Sequence, residues 1–230
     1  MKTAIMAAAP TTTTATATAT TIKAIAKAIA ILLPLTGGVP ALAGSADAQL
    51  FDDIFPEGGQ TLYCQNTFAA GTSTHIDRLY PQRQLEQHFG CSNSLACRGH
   101  EGFLAARNDL HQMFPIERRS DLDRRGALFG ETRTEGAASG CGYRLAFQIF
   151  EPPDHAKGDV ARAMLYMHTE HGVPLVGTLE MYQRWNRTDP PDDIEHMRNE
   201  RIAAIQGNRN PYIDAPEQVD QLTHNLPNLP

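Results

Sequence analysis

A chain of 230 residues that is 41% apolar and 20% charged has enough apolar content to build a packed core, which excludes disorder throughout. Its mean hydropathy of -0.35 excludes a multi-span membrane protein. The formal charge of -6 is uneven: residues 1–48 hold only Lys2, Lys23, Lys27 and Asp47 as charges, so residues 49–230 carry 17 basic against 25 acidic residues.

Met1 to Thr21 is an Ala/Thr low-complexity stretch, Lys23 and Lys27 add positive charge, and Ala28 to Leu35 is a short apolar run with small residues after it. That is the order of a secretory signal, so residues 1–48 are set aside as a leader. Both Ala41-Leu42-Ala43 and Ala46-Asp47-Ala48 suit a small-x-small cleavage site; the second is favoured, and the mature chain then starts near Gln49. A membrane anchor is the rival, but the apolar run falls well short of the roughly 20 residues that a spanning helix needs. The expectation is a secreted or periplasmic protein without a membrane anchor.

In an oxidising compartment Cys64, Cys91, Cys97 and Cys141 can pair, with three connectivities open. Cys91–Cys97, closing a tight loop, and Cys64–Cys141, tying the start of the domain to a later strand, are favoured. Zinc is the alternative, and a Cys-x5-Cys spacing without a short Cys-x2-Cys pair matches structural zinc sites poorly.

Gln49 to Cys64 is a loosely patterned lead-in. Residues 65–140 are rich in Gly, Arg, Asp, Asn and His and predict loops and short elements on a scaffold, where function usually lives. Tyr143, Leu145, Phe147 and Ile149 alternate with their neighbours, a strand period that Pro152 and Pro153 end. Val160, Met164 and Met167 predict a helix over Lys157 to Glu170, stopped by Gly172 and Pro174. Thr178 caps a second, with Met181, Tyr182 and Trp185 inward. The third runs from Asp192 to Gln206, with Ile194, Met197, Ile202 and Ile205 inward and Gly207 as terminator. The tail from Asp214 is polar, Pro/Asn-rich and predicted to fray. The simplest account is a single α+β domain over residues 49–213, with 214–230 as a flexible tail.

Two stretches carry the candidate chemistry. One is Thr74-His75-Ile76-Asp77-Arg78-Leu79-Tyr80-Pro81. The other is Asn108 to Pro115, followed by Arg118, Arg119, Asp121, Asp123, Arg124 and Arg125. Each places carboxylate and imidazole groups near a proline, with arginines close by. That inventory suits a hard divalent cation, a water-activating His and a phosphodiester gripped by planar guanidinium groups.

From about Tyr63 to Ile213 the chain resembles the endonuclease I family of secreted and periplasmic nucleases, which belong to the ββα-metal (His-Me finger) nucleases. The resemblance rests on Asp-Leu-His-x-x-x-Pro at Asp109 to Pro115, the Gly158 to Met167 block, Trp185-Asn186, Arg198-Asn199-Glu200-Arg201-Ile202, and Gln206-Gly207-Asn208-Arg209-Asn210-Pro211-Tyr212. It implies a ββα-metal core with a helical C-terminal part. The implied activity is metal-dependent, nonspecific endonucleolytic hydrolysis of DNA, with RNA as a further substrate, by a monomer using one divalent ion, usually Mg2+. In the family a Glu-His pair shortly before a Pro supplies a metal ligand and the general base, and a downstream Asn completes the protein ligands. Aligned through Tyr80-Pro81, that pair falls on Asp77 and Arg78, and the Asn falls near Asp121. Asp77 and Asp121 are therefore the implied metal ligands. Arg78 cannot act as a base, because a guanidinium stays protonated. His75, two residues from Asp77 and on the same face of an extended strand, is the substitute base.

Each residue also has a plainer reading. His75 can be a solvent-exposed polar side chain. His111 is a candidate for catalysis and a better one for bracing its motif. Arg118, Arg119, Arg124 and Arg125 are phosphate contacts or a solvated face paired with Asp121 and Asp123. The chain can equally be a catalytically degenerate member that binds nucleic acid or protein without cutting. A locally positive cleft would reconcile an acidic body with a polyanionic partner.

Overall fold

The computed structural model describes residues 45–132 and 139–223, which belong to one compact unit. The leader through Gly44, with the Ala41-Leu42-Ala43 site, lies outside the described residues. Ser45 opens α1 (Ala46–Gln49) by accepting the Ala48 amide at 3.3 Å, and a π-turn continues it over Leu50–Ile54. The Ala46-Asp47-Ala48 site lies in this helix. The lead-in is not loose: Leu50, Phe51, Ile54 and Phe55 bury against Leu110, Met113 and Ile202 in a small second core.

β1 (Gly58–Gln60) pairs antiparallel with β2 (Thr67–Ala69). β3 (His75–Arg78) pairs antiparallel with β4 (Met113–Ile116), Asp77 lying opposite Phe114. Between them run α2 (Gln82–His88) and α3 (Glu101–Arg107), joined by a loop that the Cys91–Cys97 disulfide clamps. Only Glu117 separates β4 from α4 (Arg118–Arg124), so α4 has no length to leave the sheet and lies against β3. The second disulfide, Cys64–Cys141, is the other expected pairing. It closes a loop of 77 residues, which on chain-entropy grounds is worth about 4 kcal/mol.

The third sheet corrects the sequence reading. β5 (Leu128–Phe129) runs parallel to β7 (Ile149–Glu151), and β7 pairs antiparallel with β6 (Arg144–Ala146). The single strand expected from Tyr143 to Phe150 is thus a hairpin that reverses at Phe147–Gln148. The expected inward set is broken as well: Leu145 and Phe147 are exposed, whereas Phe150, from the opposite set, is fully buried and stacks on Tyr143 at 4.7 Å. No Gly or Asn marks the turn, so period alone could not reveal it.

The helical part follows its sequence signals closely. α5 (Lys157–His171) is buried without interruption from Val160 to Met167. Its first turn needs Gly158, where a Cβ would stand 1.9 Å from the Asp189 carbonyl oxygen. α6 (Leu179–Thr188) is capped by Thr178, whose hydroxyl accepts the Met181 amide at 3.3 Å. Burying Met181, Tyr182 and Trp185 on α5 stabilises the pair by about 1.5–3 kcal/mol per side chain. α7 (Asp193–Gln206) has Asp192 as cap and ends at Gly207, with φ at 82°. Its inward face is a correction: Ile194 is 43% exposed, and Glu195, Arg198 and Asn199 are buried instead. Arg162 from α5 makes this tolerable by pairing with both Glu195 oxygens. The Asn199 side chain donates to the Asn210 carbonyl and accepts the Asn210 amide ahead of α8 (Pro211–Asp214). The expected tail is corrected over its described part, while residues 224–230 lie outside the described residues. Residues 216–221 form a 3-10 turn, Val219 is fully buried, and Leu222 packs on the main core.

Candidate active site

On β3, His75 and Asp77 share one face, and α4 covers it with Asp121 and Arg124, which lie nearly one turn apart. Asp77 is buried. Its Oδ2 accepts the Tyr63 hydroxyl at 2.6 Å and lies 3.3 Å from Arg124 Nε. Burial, and then the Asp77 charge, push the Tyr63 phenol far up, so Tyr63 remains the donor. Arg124 donates Nη2 to the Leu79 carbonyl at 2.8 Å and Nη1 to the Ala127 carbonyl, and lies 3.9 Å over the Phe129 ring. Its Nε is near Asp77 without hydrogen-bond alignment. Asp121 is half-buried, 3.0 Å from Arg125 Nη2 and 3.5 Å from His75 Nδ1.

Asp77 and Asp121 line one groove of about 760 Å³, together with Arg78, Arg83, Arg107, Arg124 and Arg125. Five guanidinium groups face two carboxylates, so the groove is locally positive on an acidic protein. Arg78 donates Nε to the Arg107 carbonyl at 3.2 Å, and its Nη2 pairs with Asp47. Burial, and then the Arg78 charge, pull the Arg107 guanidinium down, a crowding of cations that any bound anion would relieve.

The expected site residues divide. Asp77, Arg78, Asp121, Arg124 and Arg125 meet in the groove, and His75 joins them through Asp121. Arg118 and Arg119 do not line it; Arg119 turns to Asp123 at 2.8 Å. His111 is also outside, 2% exposed, with its ring 4.5 Å from Tyr166. Burial pushes its imidazole down to about 4, against the pull of Asp109, so it is neutral and structural. It belongs to a knot around Asp109, which accepts Tyr166 Oη at 2.9 Å, His171 Nε2 at 2.8 Å and Gln206 Nε2 at 3.1 Å. Burial pushes the Asp109 carboxyl up, but His171, His111 and Gln206 outweigh it and hold it below its ordinary value. This knot ties α5 and α7 to the start of β4. Sequence reasoning missed Arg83 and Arg107, which reach the groove from other elements with no local signal, and Tyr63, which is fully buried and holds Asp77 from the core side.

Among the described residues no cluster of three or more His, Cys, Asp or Glu is arranged to hold a metal. Mg2+, however, is commonly held by one or two carboxylates, with waters and substrate phosphate completing its shell. Two carboxylates in one groove meet that requirement. Tyr63 and Arg124 both address Oδ2 of Asp77. The donor chemistry therefore fits a magnesium shared with substrate, and not a closed protein cage.

The profile of the Endonuclease I family matches residues 57–217. An extracellular deoxyribonuclease of Aeromonas hydrophila is 32% identical over 138 residues, covering 58% of this chain and 59% of the relative. An extracellular ribonuclease of Bacillus subtilis (strain 168) is 32% identical over 133 residues, covering 50% and 46%. A periplasmic deoxyribonuclease of Aeromonas hydrophila is 32% identical over 138 residues, covering 58% and 57%. The chain thus spans about half to three-fifths of the length of these relatives.

Proposed function

The chain belongs to the endonuclease I family, and from that premise we propose that it is an exported, nonspecific endonuclease hydrolysing phosphodiester bonds of DNA, and of RNA, with Mg2+ held by Asp77 and Asp121. One observation carries the reading: two carboxylates 44 positions apart in the chain line the same arginine-rich groove. The strand-strand-helix order of β3, β4 and α4 supports a ββα-metal core. The disulfides suit an oxidising compartment, periplasm or medium. No helix among the described residues is long and apolar enough to cross a membrane. A monomer is the expected state.

Arg78, Arg83, Arg107 and Arg125 bind and orient the phosphodiester along the groove. Tyr63 and Arg124 fix the Asp77 carboxylate. His75 turns Nδ1 toward Asp121, which leaves Nε2 to take the proton of an attacking water. Water oxygen bonds to phosphorus, the P–O ester bond breaks, and the departing sugar oxygen takes a proton from solvent. Bound Mg2+ supplies electrostatic stabilisation of the phosphoryl and leaving oxygens.

Plasmid nicking by the purified chain with Mg2+, with and without chelator, tests this. Chelator-sensitive nicking that disappears in Asp77→Ala is expected; an intact plasmid under every divalent ion tried defeats the hydrolase. The second reading, a binding protein that does not cut, is favoured by Arg78 in the base position and by the ion pairs already made by Asp77 and Asp121. It predicts DNA binding that ignores chelator, with no product.

A further inference from the structure

The β6–β7 hairpin carries a side chain that neither the core nor the proposed chemistry uses. Its loop is two residues long, and both have positive φ, Phe147 at 48° and Gln148 at 64°. Two-residue hairpins favour that backbone because its twist matches the strands, and they fill it with Asn, Asp and Gly, which tolerate positive φ. Phe is a poor choice there, since a bulky residue at positive φ is an outlier. The ring gains nothing from burial either, being 98% exposed. A side chain disfavoured both by its backbone and by its hydration is the kind of local cost that collects at functional sites.

The loop's position says which site. Gln148 lines the groove that holds Asp77 and Asp121. Its carbonyl accepts the amide of Leu128, another wall residue, at 2.8 Å, and β5 continues the attachment by pairing Leu128 with Ile149. The turn is therefore pinned to the groove wall, with Phe147 one residue beyond it at the rim. A basic track with an exposed aromatic beside it is the combination that binds single-stranded nucleic acid, because cations follow the backbone while a ring stacks on a base. In a duplex the base faces are already covered by their neighbours, so such a ring can stack only on a base that is unpaired, terminal or flipped out.

We infer that Phe147 is a base-stacking specificity residue: its ring packs on an unpaired base of a strand whose phosphates lie along the groove arginines, so single-stranded segments are engaged more tightly than fully paired duplex. The inference rests on the nuclease reading and adds to it a preference and the residue that sets it.

The test compares a labelled single-stranded DNA 12-mer with its blunt duplex. Affinities are measured in chelator and initial cutting rates with Mg2+, for the full chain and three variants. In Phe147→Ala, single-strand affinity falls at least about fivefold, the lower bound of one base–aromatic stack, while duplex affinity stays within twofold of wild type. Phe147→Trp restores the preference and gains a fluorescence signal quenched by the single strand alone. The double variant Phe147→Asn with Gln148→Gly installs the favoured turn, so it melts higher than wild type yet loses the preference, separating folding from binding. Phe147→Ala with a wild-type ratio of single-strand to duplex in both readouts overturns the inference and leaves the nuclease reading standing. A wild-type dimer in sedimentation that Phe147→Ala dissolves overturns it as well, assigning the ring to a second copy. Wild-type protein that neither binds nor cuts either DNA removes the nuclease reading and this inference together.

Discussion

Among the described residues two arginine–carboxylate pairs are buried, and they are built differently. In the helical part Arg162 gives Nε and Nη2 to the two oxygens of Glu195, and Nη1 to Asn186 Oδ1 at 3.0 Å and the Asp189 carbonyl at 2.7 Å. All three guanidinium nitrogens are hydrogen-bonded, and the side chain is fully enclosed. Beside the groove Arg124 directs both Nη atoms to backbone carbonyls and leaves Nε close to Asp77 but unaligned. A buried donor without a partner is costly, and natural proteins keep few of them. The closed pair holds helices together, and the under-bonded pair faces space a ligand can enter.

Breaking the closed pair has the greatest consequence. Arg162→Met leaves Glu195 buried without its cation and costs about 3–5 kcal/mol in urea unfolding. Adding Glu195→Leu recovers much of that, because two apolar side chains have no charge to desolvate. At the open pair, Asp77→Asn costs about 1–3 kcal/mol in stability, the scale of one unsatisfied buried group. Its nicking rate falls at least about 100-fold, the scale of losing one group that stabilises charge in a transition state. Equal destabilisation by Asp77→Asn and Arg162→Met, with activity tracking only the folded fraction, would make both pairs structural and erase the contrast.

The Asp109 knot extends the closed side of the comparison and has a pH signature. Burial holds the folded His111 imidazole at about 4, below its ordinary 6.5, so the unfolded chain binds the proton more readily. Stability contributed by neutral His111 is present above the unfolded value. It is lost as pH falls from about 6.5 toward 4, on the order of 3 kcal/mol at most. Asp109, held below its ordinary value, adds a further loss at still lower pH, where it must protonate. Urea midpoints at pH 7.5 and 4.5 measure the slope. His111→Gln, which cannot titrate, should flatten it; an unchanged slope removes His111 from the acid response.

How much of the molecule is legible in the sequence depends on the range of the interactions involved. The starts of α6 and α7 are readable because Thr178 and Asp192 cap amides three residues on, and the end of α7 because Gly207 takes a backbone that other residues avoid. His75 and Asp77 on one face follow from strand period, and Asp121 from the family's register. Ile194 reads as inward when the helical period is fitted to apolar residues alone; the true inner face of α7 carries Glu195, and only Arg162, 33 positions away, makes that affordable. The turn at Phe147–Gln148 escapes notice because its residues are the wrong ones for its geometry. Arg83 and Arg107 escape because each enters the groove from a separate helix, and Tyr63 because only tertiary packing brings its buried hydroxyl to Asp77.

The finest distinction is between arginines that look alike in sequence. Arg83 lines the groove, whereas Arg118 lies outside it, and both are exposed, so neither substitution should disturb the fold. Each phosphate neutralised by a groove cation contributes a near-unit slope to the dependence of log affinity on log salt. Arg83→Ala should therefore reduce that slope by about 1 and weaken binding to all sequences alike. Arg118→Ala should leave the slope as it is. Titrations of a short DNA between about 50 and 200 mM salt resolve the two. Equal slopes for both variants would mean that the strand does not follow the groove, and that the positive charge beside Asp77 and Asp121 serves them and not a substrate.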